Sequence, residues 1–184
     1  MVDTIRSFIR NYSFLNELAR VNRFRKIVNL NEARSIGILY NLVDENSYRI
    51  IEGIVGKLQQ TGKEVKAVGL VRNKSMVNRF LPKLSYDFLT RKDINWFGKP
   101  TGIRVRDFIQ RDWDILIDLS LDNNQSLKYI AGLSNARLKV GPSGKDKEHY
   151  YDFMINAAMH TTVIDFYEQV EHYLLVINAG TNPL

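Results

Sequence analysis

The chain has 184 residues, of which 45% are hydrophobic and 11% aromatic, enough for one domain with a substantial core; this excludes a disordered polymer. It contains no cysteine, which excludes disulfides and thiolate chemistry, and no apolar run reaches membrane-spanning length. The N-terminus lacks the apolar stretch of a signal peptide, so we expect a cytoplasmic protein. The net charge is +6, and segment 72–111 carries ten basic and three acidic residues. Such asymmetry indicates either an anionic partner or a solvated surface.

Residues 2–21 have the periodicity of an amphipathic helix, with its apolar positions on one face and its polar positions opposite. The apolar positions are Ile5, Phe8, Ile9, Tyr12, Leu15, Leu18 and Ala19, and the polar positions are Arg6, Arg10, Ser13, Glu17 and Arg20. We predict that residues 1–34 form this helix and a basic linker, both packed on a single domain at 35–184, with the helix against its sheet. The alternative is a basic helix that lies on an anionic membrane surface.

Strand and helix patterns alternate along residues 35–184, as is typical of α/β proteins. The predicted strands are 35–41, 65–71, 86–90, 113–120, 136–141 and 151–156. The predicted helices are 44–60, 75–84, 103–110, 126–133 and 162–177. Gly62 fits the left-handed position that ends the first of these helices. Segment 91–100 is predicted to be a loop, or a continuation of the preceding strand that leads into one.

The segment 113–120 is the centre of this arrangement. Its apolar residues Ile115, Leu116, Ile117 and Leu119 leave no polar face, which is typical of a parallel strand covered by helices on both sides. We therefore predict a three-layer, Rossmann-like α/β sandwich with a mostly parallel sheet of about six strands. In the doubly wound strand order 3-2-1-4-5-6, the switch point lies between the strands that end near Asn41 and Ser120.

Ligands of doubly wound sheets bind beyond the carboxyl ends of the strands at the switch point. The residues predicted to line such a site are Asn41, Asp44, Asp118, Ser120, Asn123, Asn124, Gly141 and Ser143. Asp44 fits either a general base or the N-cap of the helix that follows it. Asp118 is a carboxylate inside an apolar strand and needs hydrogen-bond donors. These donors come either from a ligand or from the N–H groups of the turn at 122–125.

A second group of residues predicts an anion site. It consists of Arg72, Lys74, Arg91, Lys92 and Lys99. The neighbouring Trp96 and Phe97 fit either the stacking of a nucleic-acid base or the packing of a loop onto the domain. No dinucleotide fingerprint, phosphate-loop spacing or serine-hydrolase elbow is present, and the three histidines, His149, His160 and His172, lack metal-ligand spacing. Neither a cofactor nor a metal is therefore predicted.

Two stretches within residues 112–141 carry a resemblance. They are Asp112-Trp113-Asp114-Ile115-Leu116-Ile117-Asp118-Leu119-Ser120 and Leu133-Ser134-Asn135-Ala136-Arg137-Leu138-Lys139-Val140-Gly141. Together they resemble a segment of the heptosyltransferase family of glycosyltransferases. The resemblance implies the acceptor-side half of a two-domain GT-B enzyme, in which an Asp after the first strand is the catalytic base. Asp44 lies at that place but lacks the family's preceding Gly, and 184 residues leave no room for the nucleotide-sugar domain.

Over its whole length the chain also resembles an uncharacterised bacterial family without an assigned activity. The patterns favour a non-enzymatic module that binds a protein or a small molecule. One alternative is a sugar- or nucleotide-processing enzyme that uses Asp44 and Asp118. The other is an anion-binding module for nucleic acid or a membrane surface, which uses segment 72–111 and the N-terminal helix.

Overall fold

The computed structural model describes residues 2–72, 84–159 and 161–177, with side chains from Arg10 onward. The helices are α1 (Val2–Leu18), α2 (Glu45–Gln60), α3 (Ile103–Gln110), α4 (Gln125–Leu133) and α5 (Val163–Val176). The strands are β1 (Ser35–Leu42), β2 (Glu64–Val71), β3 (Tyr86–Leu89), β4 (Ile115–Asp118), β5 (Leu138–Pro142) and β6 (Phe153–Ile155). Most of the helix predicted at 75–84 lies outside the described residues.

The six strands form one parallel sheet in the order β3-β2-β1-β4-β5-β6. Strand β4 lies between β1 and β5, with Ile117 paired to Ile38 on one side and to Val140 on the other. The predicted Rossmann-like sandwich and its doubly wound strand order are therefore confirmed. Among the described residues, no helix is both long enough and apolar enough to cross a bilayer.

The central strand is shorter than predicted because Asp114 joins three chain segments just before β4 begins. Its carboxylate accepts hydrogen bonds from the backbone N–H groups of Arg34 (2.8 Å) and Ser35 (3.1 Å). It also accepts one from the guanidinium of Arg137 at 2.8 Å. Asp114, in the first of the two stretches within residues 112–141, is thus structural, since it fixes the starts of β1, β4 and β5 to one another.

Successive side chains of β4 enter different apolar layers. Ile115 and Ile117 are buried among residues of α2 and α5, whereas Leu116 is buried among residues of α1, α3 and α4. Helices cover the strand on both sides, which is why its sequence has no polar face. Asp118 extends the row of Leu116 and therefore lies on the α4 side.

Helix α1 packs against α4, one layer above the sheet, and not against the sheet as predicted. Phe14 is its anchor: the ring is 1% exposed and lies 5.0 Å, centroid to centroid, from that of Tyr129. Tyr12 and Leu15, predicted to face inward, are 63% and 44% exposed. Three positions of the predicted polar face, Arg10, Ser13 and Glu17, are instead partly buried.

The predicted left-handed position of Gly62 is confirmed, and the last helix begins next to the predicted residue, Thr162, which is its N-cap. Gly62 has a φ of 78° after the end of α2, and Thr162 caps α5 through a hydrogen bond from the backbone N–H of Asp165. Segment 91–100 is more ordered than the predicted loop, because it contains a 3-10 turn at Arg91–Asp93 and a bridge between Ile94 and Pro100.

Candidate functional site at the switch point

Three side chains meet where β1 and β4 part, and we call them the switch-point rim: Asn41, Arg72 and Asp122. The side-chain amide of Asn41 donates to one carboxylate oxygen of Asp122, and Arg72 donates to the other at 2.5 Å. The side chains of Arg72 and Asp122 are 55% and 40% exposed. The amide oxygen of Asn41 is buried and has no hydrogen-bond partner among the described residues. The rim therefore holds a buried acceptor that a donor from outside the chain can satisfy.

Asp118 lies deeper, within a group that we call the Asp118 cluster: Asp118, Ser120 and Tyr151. One oxygen of the carboxylate accepts from the backbone N–H of Ser120 at 2.8 Å and from its hydroxyl at 2.5 Å. The other oxygen accepts from the hydroxyl of Tyr151. The three residues are 2%, 4% and 6% exposed, so the cluster is closed to solvent.

The structural interpretation of Asp118 was right in kind but wrong in its partners. The turn at 122–125 makes none of these bonds; two hydroxyl groups and one adjacent N–H do. Burial raises the pKa of Asp118, and the hydrogen bonds from Ser120 and Tyr151 oppose that rise. Burial and the neighbouring carboxylate also raise the pKa of Tyr151. Asp118 and Tyr151 thus make their hydrogen bonds within the cluster, and neither group directs a proton toward a ligand.

Gly141 is needed for the ring of Tyr151 to reach Asp118. A Cβ atom at position 141 would lie 2.6 Å from Cε2 of Tyr151, and Cβ atoms in proteins essentially never come that close to another heavy atom. Gly141 therefore has a packing role in this structure, and its predicted ligand-binding role stays a prediction. Ser143, two residues further, is exposed and donates its backbone N–H to the carbonyl of Ile155 at 2.8 Å.

Asp44 is the N-cap of α2, as one of its two interpretations predicted. Its carboxylate accepts from the backbone N–H of Ser47 at 2.7 Å, and the hydroxyl of Ser47 accepts from the N–H of Asp44 at 3.0 Å. The two residues form a complete capping box at the exposed start of the helix. Asn124 is likewise the N-cap of α4, while Asn123 is exposed.

The predicted anion residues do not form one site. Arg72 is paired with Asp122 in the switch-point rim, and Lys99 is paired with Glu17 of α1 at 2.5 Å. Arg91 and Lys92 are exposed on their 3-10 turn, and Lys74 lies outside the described residues. The ring of Trp96 is 60% exposed, with its centroid 4.5 Å from that of Phe97.

A groove of about 510 Å³ lies at the opposite, amino end of the sheet beside α3. Its lining residues include Glu64, Lys66, Asp87, Arg104, Asp107 and Arg111. Lys66 pairs with Asp87 at 3.0 Å, and Arg111 pairs with Glu64. Sequence reasoning missed this groove because its lining comes from four separate parts of the chain, none of which carries a motif.

The three histidines lie in different parts of the chain and do not come together in one site among the described residues. His149 lies with Asp146 and Glu148 in a group whose potential ligand atoms are within 4.8 Å of one another, a proximity that spacing did not predict. All three side chains are exposed on the turn after β5, where acidic groups are common without a metal. His172 is exposed on α5, and His160 lies outside the described residues.

Residues 6–177 match the model of DUF6913, a family of unknown function. The match spans almost the whole chain, and the protein belongs to this uncharacterised α/β family. No curated protein matches the chain. The family gives no activity, so a function has to be argued from the site itself.

Proposed function

We propose that this protein is a non-catalytic binding domain that takes a small, hydroxyl-bearing ligand at the switch point. The observation that carries the proposal is the amide oxygen of Asn41, which is buried without a partner among the described residues. Buried acceptors are normally hydrogen-bonded, and the described residues supply no donor to this one, so a ligand can supply it. The hydroxyl group of a sugar or a nucleoside supplies such a donor.

The position of Asn41 also supports the proposal. It lies near the carboxyl end of β1, next to β4, where ligands bind in doubly wound sheets. Asp122 and Arg72 are partly exposed beside it, so they add an acceptor and a cationic donor on the solvent side. A ligand with several hydroxyl groups fits this set of donors and acceptors better than an apolar ligand does.

The non-catalytic part of the proposal comes from the two candidate acids. One oxygen of the Asp44 carboxylate is engaged in the capping box of α2, and Asp118 is enclosed by Ser120 and Tyr151. A general base has to come within hydrogen-bond reach of the proton that it removes. Neither carboxylate belongs to the switch-point rim, so the enzymatic alternative, half of a GT-B-like glycosyltransferase, requires the Asp118 cluster to open or the second, exposed oxygen of Asp44 to act as the base.

A nuclear magnetic resonance titration of the ¹⁵N-labelled chain with ribose, adenosine and glucose tests the binding. We expect at least one of them to shift the side-chain amide signal of Asn41 and the backbone signals of residues 121–124. Asn41→Ala should remove these shifts, whereas Asn46→Ala, which removes an exposed amide from α2, should keep them. If none of the three compounds moves these signals, the proposed ligand class is wrong.

An activity assay tests the non-catalytic part separately. The purified chain is incubated with nucleotide sugars and acceptor sugars, and product is measured by mass spectrometry. We expect no turnover. Turnover that disappears in Asp44→Asn would overturn the proposal, because asparagine preserves the helix cap and removes only the base.

A further inference from the structure

Arg10 of α1 has a buried donor without a partner among the described residues. Its Nε atom is buried without a hydrogen bond, and its guanidinium makes no ion pair within the described part of the chain. Buried donors are normally hydrogen-bonded. A partner for this Nε atom has to be an acceptor, because a guanidinium has only donors to offer.

A second unpartnered donor lies beside it. The Nε2 atom of Gln125, the first residue of α4, is also buried without a partner in the described structure. The two side chains converge on Gly98, which has a φ of 82°. A Cβ atom at Gly98 would lie 3.5 Å from Cγ of Gln125 and 3.6 Å from Cδ of Arg10. Two side chains from distant parts of the chain, each with an unpartnered donor, therefore approach the same glycine.

The backbone around the two side chains is held by hydrogen bonds in which Nε of Arg10 and Nε2 of Gln125 take no part. Ser126 donates its hydroxyl to the carbonyl of Gly98 at 2.9 Å, and Tyr129 donates its hydroxyl to the carbonyl of Arg10 at 3.3 Å. Glu17, one acidic residue on the packed face of α1, is bound to Lys99 at 2.5 Å. The donors are thus held in place while a nearby carboxylate is engaged elsewhere.

We propose that the junction of α1, α4 and loop 94–100 binds an oxyanion with the chemistry of a phosphate group, through Arg10 and Gln125. The planar guanidinium matches the geometry of a phosphate, and the amide supplies a second donor. The positive end of the α4 dipole adds to the attraction, since Gln125 is its first residue. This site uses none of the switch-point residues, so it stands or falls independently of the proposed ligand there.

Thermal unfolding in inorganic phosphate, compared with sodium chloride at equal ionic strength, tests the site. At a phosphate concentration of about ten times Kd, we expect the midpoint of the wild type to rise by roughly 3–5 °C. Arg10→Met should lose this rise. Arg20→Met is the matched control, because it removes the same charge from an exposed position after α1 and should keep the full rise.

Gln125→Glu tests the same site without removing Arg10. The new carboxylate supplies the missing acceptor, so we expect a higher midpoint in phosphate-free buffer and no further rise with phosphate. This variant keeps the proposal testable if Arg10→Met fails to fold. A phosphate response that is absent in the wild type, retained in Gln125→Glu, or equally reduced in both arginine variants would overturn the proposal.

The source of the phosphate group is distinguished by a second titration with adenosine 5′-monophosphate. Equal shifts from the nucleotide and from inorganic phosphate at the same free concentration would identify the phosphate group alone as the ligand. A larger shift from the nucleotide would identify a phosphate monoester. Both shifts should disappear in Arg10→Met if they arise at this junction.

Discussion

The Asp118 cluster and the Arg10–Gln125 junction both bury polar side chains on the α4 side of the sheet, but they differ in how these are satisfied. In the cluster, both carboxylate oxygens accept hydrogen bonds from Ser120 and Tyr151. At the junction, two donors have no acceptor among the described residues. A saturated group contributes to the stability of the fold, whereas an unsaturated one indicates a partner from outside the chain. The candidate site therefore lies at the Arg10–Gln125 junction and not at Asp118, the acid that the sequence pattern emphasised.

The largest expected effect comes from breaking the saturated cluster. Asp118→Ala leaves the hydroxyls of Ser120 and Tyr151 buried without their acceptor, so we expect a loss of about 3 kcal/mol in the free energy of unfolding. Urea denaturation measures the loss. Asp112→Ala, the same change at an exposed position just before β4, should stay within about 0.5 kcal/mol of the wild type. Equal stability of the two variants would contradict a structural role for the Asp118 cluster.

The next largest effect tests the Asp118 cluster through the packing of Tyr151 against Gly141. Gly141→Ala forces the ring of Tyr151 away from its place, since the new Cβ atom would overlap it, and should cost about 2 kcal/mol. Gly53→Ala, inside α2 with no atom within 4 Å of the new Cβ, should instead stabilise the protein by about 0.5–1 kcal/mol. Urea denaturation of both variants gives the sign directly, and a stabilising Gly141→Ala would refute the close approach.

Lys139 lies near the opposite end of α4 and provides a pH test. It is 1% exposed and donates to the carbonyl of Gly132 at 2.7 Å, and burial lowers its pKa to about 7 from 10.5. Between these two values the unfolded chain binds the extra proton, so this lysine makes stability increase as the pH rises from about 7 towards 10.5. Below pH 7 the cost of charging it is fully present.

Lys139→Met should remove this dependence. We expect the slope of the unfolding free energy between pH 7.5 and 10 to fall by about 1 kcal/mol per pH unit relative to the wild type. Urea denaturation across this range gives the slope, and Lys57→Met, which removes an exposed lysine of α2, serves as the control. Parallel slopes for the wild type and Lys139→Met would contradict a lowered pKa.

The smallest effect concerns the other candidate acid. Asp44→Ala removes the side chain that caps α2 and should cost about 1 kcal/mol, whereas Asp44→Asn still caps and should cost only a few tenths. Helix content and urea midpoints measure the difference. If Asp44→Asn were as damaging as Asp44→Ala, the negative charge at the start of α2 would contribute more to stability than the capping hydrogen bond does.

Sequence patterns predicted the strands and most helices correctly because these follow from local periodicity. The apolar run of β4 required cover on both sides, and Asp44 and Gly62 marked helix ends by their own chemistry. The prediction failed where a pattern offered two solutions. In α1 the apolar stripe suggested the buried face, but Phe14 fixed the helix on α4 with Arg10 turned inward.

The candidate site residues show the same division. Asn41 was predicted from its position at the end of β1, yet its partner Asp122 was not, because nothing in the sequence distinguishes it from the other polar residues of that loop. Tyr151 was assigned to a strand, although it lies 33 positions from Asp118 and donates to it. Arg10 was placed on a solvent face. No local signal would have paired these residues.

The sequence by itself determined the class of this protein: an α/β sandwich whose central strand is apolar on both sides. Only the tertiary structure decided which polar groups are satisfied, since hydrogen bonds between distant residues depend on how whole helices and strands pack. Periodicity constrains each element separately. The unpartnered donors of Arg10 and Gln125 become neighbours only when α1, α4 and the loop at Gly98 pack together, and local sequence patterns do not determine that packing.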